Sequence, residues 1–111
     1  NKFPVQIGHM LLITREWAPQ NGWFNASDWS ALTSVDRNTT GLWFFNSNPN
    51  AGASQPHRHL QLLPRHDGER VCPREEWFLR FCSDDNDQNR LRQLIRVEQL
   101  VEFNASALQA T

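Results

Sequence analysis

The sequence has no long apolar run and no excess of charge of one sign. No hydrophobic stretch approaches the ~20 residues of a membrane-spanning helix, and no basic segment followed by an apolar one indicates a secretory signal. The 11 basic and 12 acidic residues give a formal charge of -1, which offers no general attraction to nucleic acid or to an anionic membrane. We therefore expect no membrane span, no secretory signal and no nucleic-acid partner for the chain as given.

Cysteine is scarce as well. Cys72 and Cys82 are the two cysteines of the chain, and no second pair is present to complete the four ligands of a structural zinc site. The two thiols could close one disulfide, but nothing else in the sequence indicates secretion. The sequence therefore predicts a reducing, cytoplasmic location and two ordinary thiols.

The 111 residues fit one domain, and charge is distributed unevenly along it. Three basic and three acidic residues precede His57, whereas eight basic and nine acidic residues follow it. This predicts a single domain over 1–111, with a core over 1–66 and a solvated helical flank over 67–111. Because the chain starts at Asn1, in what reads as mid-strand, we interpret it as part of a longer polypeptide. Its bare strand edges could then pair with a second copy to form a homodimer.

Apolar runs separated by turn residues predict alternating strands and helices. Strands are predicted over 9–15, 41–46 and 57–64, with loops over 16–25 and 46–56. Helices are predicted over 28–35, where Asn25 or Ser27 is the expected N-cap, over 73–81 and over 89–101. Four aromatic residues are expected in ordinary core positions, the alternative being exposure at surfaces that a longer parent would cover: Trp17, Trp23, Phe24 and Trp77.

Polar residues suited to chemistry are concentrated between residues 46 and 64. The two-residue period of a strand places His57, His59 and Gln61 on one face. The small-residue loop before them contains Gly52, Ser54 and Gln55, and such a loop can bring main-chain N–H groups and polar side chains to an anion. Nucleotidyl transfer through a covalent enzyme requires these parts, a neutral imidazole that attacks phosphorus and donors that hold the phosphoryl oxygens.

Two other interpretations of the histidines stay open on the residues alone. Histidines that alternate with apolar residues on a strand are commonly no more than a half-exposed polar face. The pair His57 and His59 could also converge with His66 or Cys72 on a zinc ion, although the spacing matches no usual zinc pattern.

Residues 52–61, Gly-Ala-Ser-Gln-Pro-His-Arg-His-Leu-Gln, resemble a family signature. It is that of the ATP adenylyltransferases, or diadenosine tetraphosphate phosphorylases, a branch of the histidine-triad superfamily related to the galactose-1-phosphate uridylyltransferases. Residues 1–5 and 8–15 resemble the upstream strand pair of this family, and residues 41–46 its next strand. The resemblance fades after Pro64. It implies an α+β fold, with a histidine-triad-like antiparallel sheet, a crossing helix and a helical C-terminal flank, in a chain much shorter than the family's own.

The resemblance also implies a role for each site residue. His59 would be the nucleophile that forms an adenylyl-histidine, His57 would orient it or shape the phosphate site, and Gln61 would hold the nonbridging phosphoryl oxygens. The implied contacts to phosphates and ribose are Asn1, Lys2, Asn46, Gly52, Ser54 and Gln55. The attacking nitrogen of His59 must be unprotonated, and we expect a backbone carbonyl on the other ring nitrogen.

The implied reaction has two displacements. His59 attacks the α-phosphorus of diadenosine tetraphosphate and ATP departs; inorganic phosphate then attacks the adenylyl-histidine and ADP is released. No bound metal is needed, and Mg²⁺ is expected only as a companion of the polyphosphate. The alternatives are a non-catalytic nucleotide-binding fragment of such an enzyme and a related dinucleoside polyphosphate hydrolase. A sugar-nucleotide transferase is disfavoured by the lead-in over 54–56 and by Leu60, where that branch prefers glycine.

Overall fold

A computed structural model of the chain describes residues 6–83 and 94–110. The elements follow in the order β1 (Met10–Ile13), α1 (Ala26–Asp36), β2 (Gly41–Phe44), a 3-10 turn (Pro49–Ala51), β3 (His59–Pro64), α2 (Glu75–Ser83) and α3 (Ala105–Ala110). The α+β class is thereby confirmed. None of the helices in the described residues combines the length and the apolar composition needed to cross a bilayer.

The three strands form one antiparallel sheet in the order β1-β3-β2. Ile13 of β1 lies opposite His59, and Phe44 of β2 lies opposite Gln61. Leu60 and Leu62 of the central strand are buried, and alternation along the strand turns His59 and Gln61 to the other face. The antiparallel direction that the resemblance implied is confirmed.

Glycine is required where β2 begins. A Cβ atom on Gly41 would lie 2.6 Å from the carbonyl oxygen of Leu63 and 2.6 Å from Cδ1 of Leu62. Only a residue without a side chain allows β2 to approach β3 this closely.

Helix α1 begins with a reciprocal capping box. The side chain of Asn25 accepts a hydrogen bond from the Asp28 N–H, and the Asp28 carboxylate accepts one from the Asn25 N–H, both at 2.9 Å. Of the two N-caps that the sequence suggested, Asn25 is therefore the observed one. Leu32 of α1 and Leu60 of β3 line the same apolar cavity, so α1 lies against the Leu60 face of the sheet.

The second half of the chain is only partly as predicted. The helix expected over 73–81 is observed as α2, two residues further along. The helix expected over 89–101 is wrong for 94–101, which contain no helix, and 84–93 lie outside the described residues. Its apolar residues Leu94 and Val101 are exposed, so no packed face stabilises a helix there. The sequence analysis missed α3, where Asn104 accepts a hydrogen bond from the Ala107 N–H at 2.8 Å.

Two of the four aromatic residues expected in the core are exposed. Trp17 and Trp23 have exposed fractions of 69% and 94%, so the core prediction is wrong for both, because each lies in the irregular segment between β1 and α1 rather than on a packed face. Phe24 is half-buried, 4.5 Å from the Phe45 ring and 4.9 Å from the Trp29 ring, as predicted. Trp77 is also half-buried, against Phe81.

Candidate active site

The chain that follows β1 continues to pair with the residues that lead into β3. The Thr14 N–H donates to the Arg58 carbonyl at 3.2 Å, and after three intervening residues the Arg58 N–H donates to the Ala18 carbonyl at 2.8 Å. Pro19 then pairs with His57 in an isolated antiparallel bridge. Residues 15–17 are therefore a bulge in an otherwise paired edge, and within the predicted loop over 16–25 the residues from Ala18 to Gln20 pair with the segment before β3. Bulges of this kind redirect side chains at sheet edges.

Arg58, between the two histidines, is a buried cation with four hydrogen-bond acceptors. Its guanidinium donates to the Asp28 carboxylate at 2.8 Å and to the carbonyl oxygens of Pro19, Asn21 and Trp23 at 3.0 to 3.3 Å. These contacts fix the segment after the bulge and the start of α1 to β3. Sequence reasoning missed this role, although one signal was available: a charged residue that alternates with leucines on a buried face needs a partner there.

Gln20 is a second buried polar residue that sequence reasoning missed. Its side-chain oxygen accepts a hydrogen bond from the His59 N–H at 2.8 Å, and its amide nitrogen donates to the carbonyls of His59 and Asn46 at 3.2 and 2.7 Å. Because β2 ends at Phe44, this amide replaces the missing strand beside His59. No local sequence signal identifies it, since Gln20 and His59 are 39 residues apart.

The two ring nitrogens of His59 differ in their contacts. Nδ1 lies 2.7 Å from the carbonyl oxygen of His57. A carbonyl only accepts, so Nδ1 carries the hydrogen and Nε2 is the bare nitrogen of the neutral ring. The backbone carbonyl expected on the second nitrogen is thereby confirmed. Nε2 makes no hydrogen bond within residues 6–83 and 94–110, and the residue has an exposed fraction of 3%.

The ring of His57 is held by the bulge rather than by His59. Its Nε2 lies 2.7 Å from the Thr14 hydroxyl and 3.2 Å from the Glu16 carbonyl oxygen. Both contacts are satisfied together when Nε2 carries a hydrogen. The main chain of His57 thus orients His59, while its side chain fixes the position of the bulge. Gln61 is half-buried in the centre of the same face, between Leu11 and Phe44 in the register.

The loop before β3 is built around a short turn. Asn48 caps the 3-10 turn, and Gly52 ends it with a φ of +94°, in the left-handed region that favours glycine. A Cβ on Gly52 would lie 3.3 Å from the side-chain nitrogen of Asn46, so these two predicted site residues are neighbours.

A cavity of about 290 Å³ lies between this loop and the bulge. Its lining residues include Ser54, Gln55 and Trp17 but neither His57 nor His59. The structure thus gathers the predicted phosphate contacts into two neighbouring groups, the loop and the histidine strand. The remaining two predicted contacts, Asn1 and Lys2, lie outside the described residues.

The zinc interpretation and the cysteine prediction can be compared with the described residues. No three His, Cys, Asp or Glu side chains among residues 6–83 and 94–110 converge as a metal site would require, so His57, His59, His66 and Cys72 offer no shared ligand set there. Both Cys72 and Cys82 are free thiols, as predicted. A larger cavity of about 710 Å³, lined mainly by aromatic and aliphatic residues, borders α1 and β2 on the Leu60 face, away from the histidines.

Known proteins match this chain over the segment that contains the site. The family model described as the Ap4A phosphorylase N-terminal domain matches residues 1–76. Protein APA1 of Saccharomyces cerevisiae is 33% identical over 91 residues, which cover 71% of this chain and 28% of that protein. Diadenosine 5',5'''-P1,P4-tetraphosphate phosphorylase 2 of the same yeast is 35% identical over 74 residues, which cover 57% of this chain and 23% of that protein.

The family match includes all three strands, α1 and the two histidines of β3 and its lead-in. No solved structure gives a significant match. The chain spans about a quarter of the length of the two curated relatives. The resemblance drawn from residues 52–61 is confirmed by these matches. On this evidence the chain belongs to the Ap4A phosphorylase family.

Proposed function

We propose that this chain carries the nucleotidyl-transfer centre of a diadenosine tetraphosphate phosphorylase, with His59 as the nucleophile. The observation that carries the proposal is the 2.7 Å contact between His59 Nδ1 and the His57 carbonyl, which leaves Nε2 as the bare nitrogen. The similarity to a yeast diadenosine tetraphosphate phosphorylase supports the choice of substrate.

The proposed reaction proceeds by two balanced displacements at phosphorus. In the first, His59 Nε2 forms a bond to the α-phosphorus of diadenosine tetraphosphate as the bond from that phosphorus to the bridging oxygen breaks, and ATP leaves. In the second, an oxygen of inorganic phosphate attacks the same phosphorus, the P–N bond breaks and ADP leaves. The imidazole replaces one difficult step by two easier ones.

The other site residues act on the phosphoryl oxygens in this proposal. Gln61 shares the face of His59 and would hold the nonbridging oxygens, and Asn46, Ser54 and Gln55 would bind the polyphosphate. The Gly52 N–H donates within the turn, to the Pro49 carbonyl at 3.0 Å, so Gly52 would serve the polyphosphate through its close approach to the Asn46 amide rather than through its own N–H. Donors fixed before the reaction stabilise charge as it develops in the transition state. Asn1 and Lys2 stay predictions as ribose and polyphosphate contacts, as do the cytoplasmic location, the homodimer and Mg²⁺ as a companion of the substrate.

The burial of His59 sets a requirement on the mechanism. With an exposed fraction of 3%, the ring presents little surface, so the substrate must bring its α-phosphorus to Nε2 in line with the departing oxygen.

The decisive experiment is intact-mass measurement after mixing the chain with diadenosine tetraphosphate in the absence of phosphate. We expect one added adenylyl group on the chain and on His66→Ala, whose exposed histidine lies outside the site, and none on His59→Ala. Addition of phosphate should then release ADP. An adduct that persists in His59→Ala would eliminate the assignment of the nucleophile.

A second candidate is nucleotide binding without turnover. The chain covers only about a quarter of its relatives, and the burial of His59 would be compatible with a binding role. Calorimetric titration with AMP, run beside the adduct measurement with diadenosine tetraphosphate, separates the two candidates, because AMP binding without an adduct from the dinucleotide favours the non-catalytic one. Release of AMP instead of ADP in the presence of phosphate would identify the hydrolase alternative.

A further inference from the structure

Trp17 is a large aromatic side chain that the backbone holds in solvent. It is the last residue of the bulge over 15–17, and hydrogen bonds to Arg58 fix the chain on both sides, from Thr14 and to Ala18. Its side chain has an exposed fraction of 69%, and the backbone on either side of it is held in place. An exposed indole has a large apolar face and one N–H donor, which suits contact with a flat partly polar ring.

The cavity beside Trp17 has the composition of a binding site for such a ring. Its volume is about 290 Å³, and Trp17 is the one aromatic residue in its lining. The other polar residues of the lining carry amide or hydroxyl groups, namely Gln20, Asn21, Ser47, Asn48, Ser54 and Gln55. An indole stacks on the face of a nucleobase, while amides and hydroxyls bind base edges or phosphate oxygens. This combination fits a nucleotide better than an apolar ligand.

We propose that Trp17 and this cavity bind the second nucleoside of the dinucleotide, the one that leaves with ATP. This inference rests on the proposed function. Neither His57 nor His59 lines the cavity, which lies on the far side of the predicted phosphate contacts Ser54 and Gln55 from His59 in sequence, so we assign it to the nucleoside beyond the polyphosphate. Ser54 and Gln55 line the cavity and are the predicted phosphate contacts, so a polyphosphate bound to them leads from the histidine strand toward Trp17.

Two ligands that differ only in the second nucleoside test this assignment. Diadenosine tetraphosphate and adenosine 5'-tetraphosphate carry the same number of phosphates, but the latter lacks the second adenosine. Calorimetric affinities are measured in a His59→Ala background, where adenylyl transfer does not compete. We expect Trp17→Ala to weaken binding of the dinucleotide about tenfold, as loss of one base–aromatic stack would. Its affinity for adenosine 5'-tetraphosphate should not change.

Two further variants separate stacking from general effects. Trp17→Phe keeps an aromatic face and should retain most of the dinucleotide affinity. Trp23→Ala removes an even more exposed tryptophan that does not line the cavity, and it should change neither affinity. Thermal unfolding midpoints equal to that of the parent establish that the variants are folded.

The outcomes distinguish the two proposals. An unchanged dinucleotide affinity in Trp17→Ala, an equal loss for both ligands, or an equal loss in Trp23→Ala overturns the role of Trp17. If the chain still forms an adenylyl adduct on His59 in that case, the proposed function stands alone. If the chain binds neither ligand and forms no adduct, both proposals fall.

Discussion

Removal of the Asp28 carboxylate should be among the most destabilising single changes in the chain. Asp28 is the acidic partner of the buried Arg58 guanidinium, with side-chain exposures of 5% and 8%, and it also accepts the hydrogen bond that closes the capping box of α1. In Asp28→Ala the guanidinium keeps three carbonyl acceptors but loses its counter-charge. Breaking a buried pair costs about 3–5 kcal/mol and loss of a cap about 1 kcal/mol. The remaining carbonyls offset part of this, so we expect a loss of about 3–4 kcal/mol.

Urea unfolding followed by far-ultraviolet circular dichroism measures the loss. A domain of this size has a free energy of unfolding of about 5–15 kcal/mol, which falls by about 1–3 kcal/mol for each molar of urea. The urea concentration at the unfolding midpoint should therefore fall by about 2 M in Asp28→Ala. Asp28→Asn should lose less, because its amide oxygen still accepts from Arg58. The matched control is Glu76→Ala, which removes an exposed pair with Arg70 at 2.9 Å and should lose almost nothing. A loss in Asp28→Ala no larger than in this control would refute the reasoning.

Two further changes test how the site is held. Gln20→Ala leaves the His59 N–H and the Asn46 carbonyl without their buried partner. We expect the free energy of unfolding, measured with urea, to fall by about 2–4 kcal/mol, and the yield of adenylyl adduct to fall with it. Gly52→Ala places a side chain on a residue in the left-handed region, which should lower the free energy of unfolding by about 1–2 kcal/mol. The added Cβ also displaces the Asn46 amide, so the affinity for inorganic tripolyphosphate should fall. Gly68→Ala is its control, because Gly68 also has a positive φ but has nothing within 4 Å of an added Cβ, and phosphate affinity should not change there.

The sequence by itself determined the local features. The N-cap of α1 follows from Asn25 and Asp28, three residues apart, and the strands follow from short apolar runs bounded by turn residues. The shared face of His59 and Gln61 follows from the two-residue period of a strand. In each case the interacting groups are close in sequence, so the backbone geometry alone fixes their relation.

Only the tertiary structure decided the features that join distant segments. The strand order, the contact of Arg58 with Asp28 and the bonds from Gln20 to His59 each bring together residues that are 17 or more positions apart. The exposure of Trp17 and the absence of a helix over 94–101 also depend on what packs nearby. Local propensity and periodicity do not predict such contacts, because the contacts are stabilised by burial and pairing that exist only once the chain has folded.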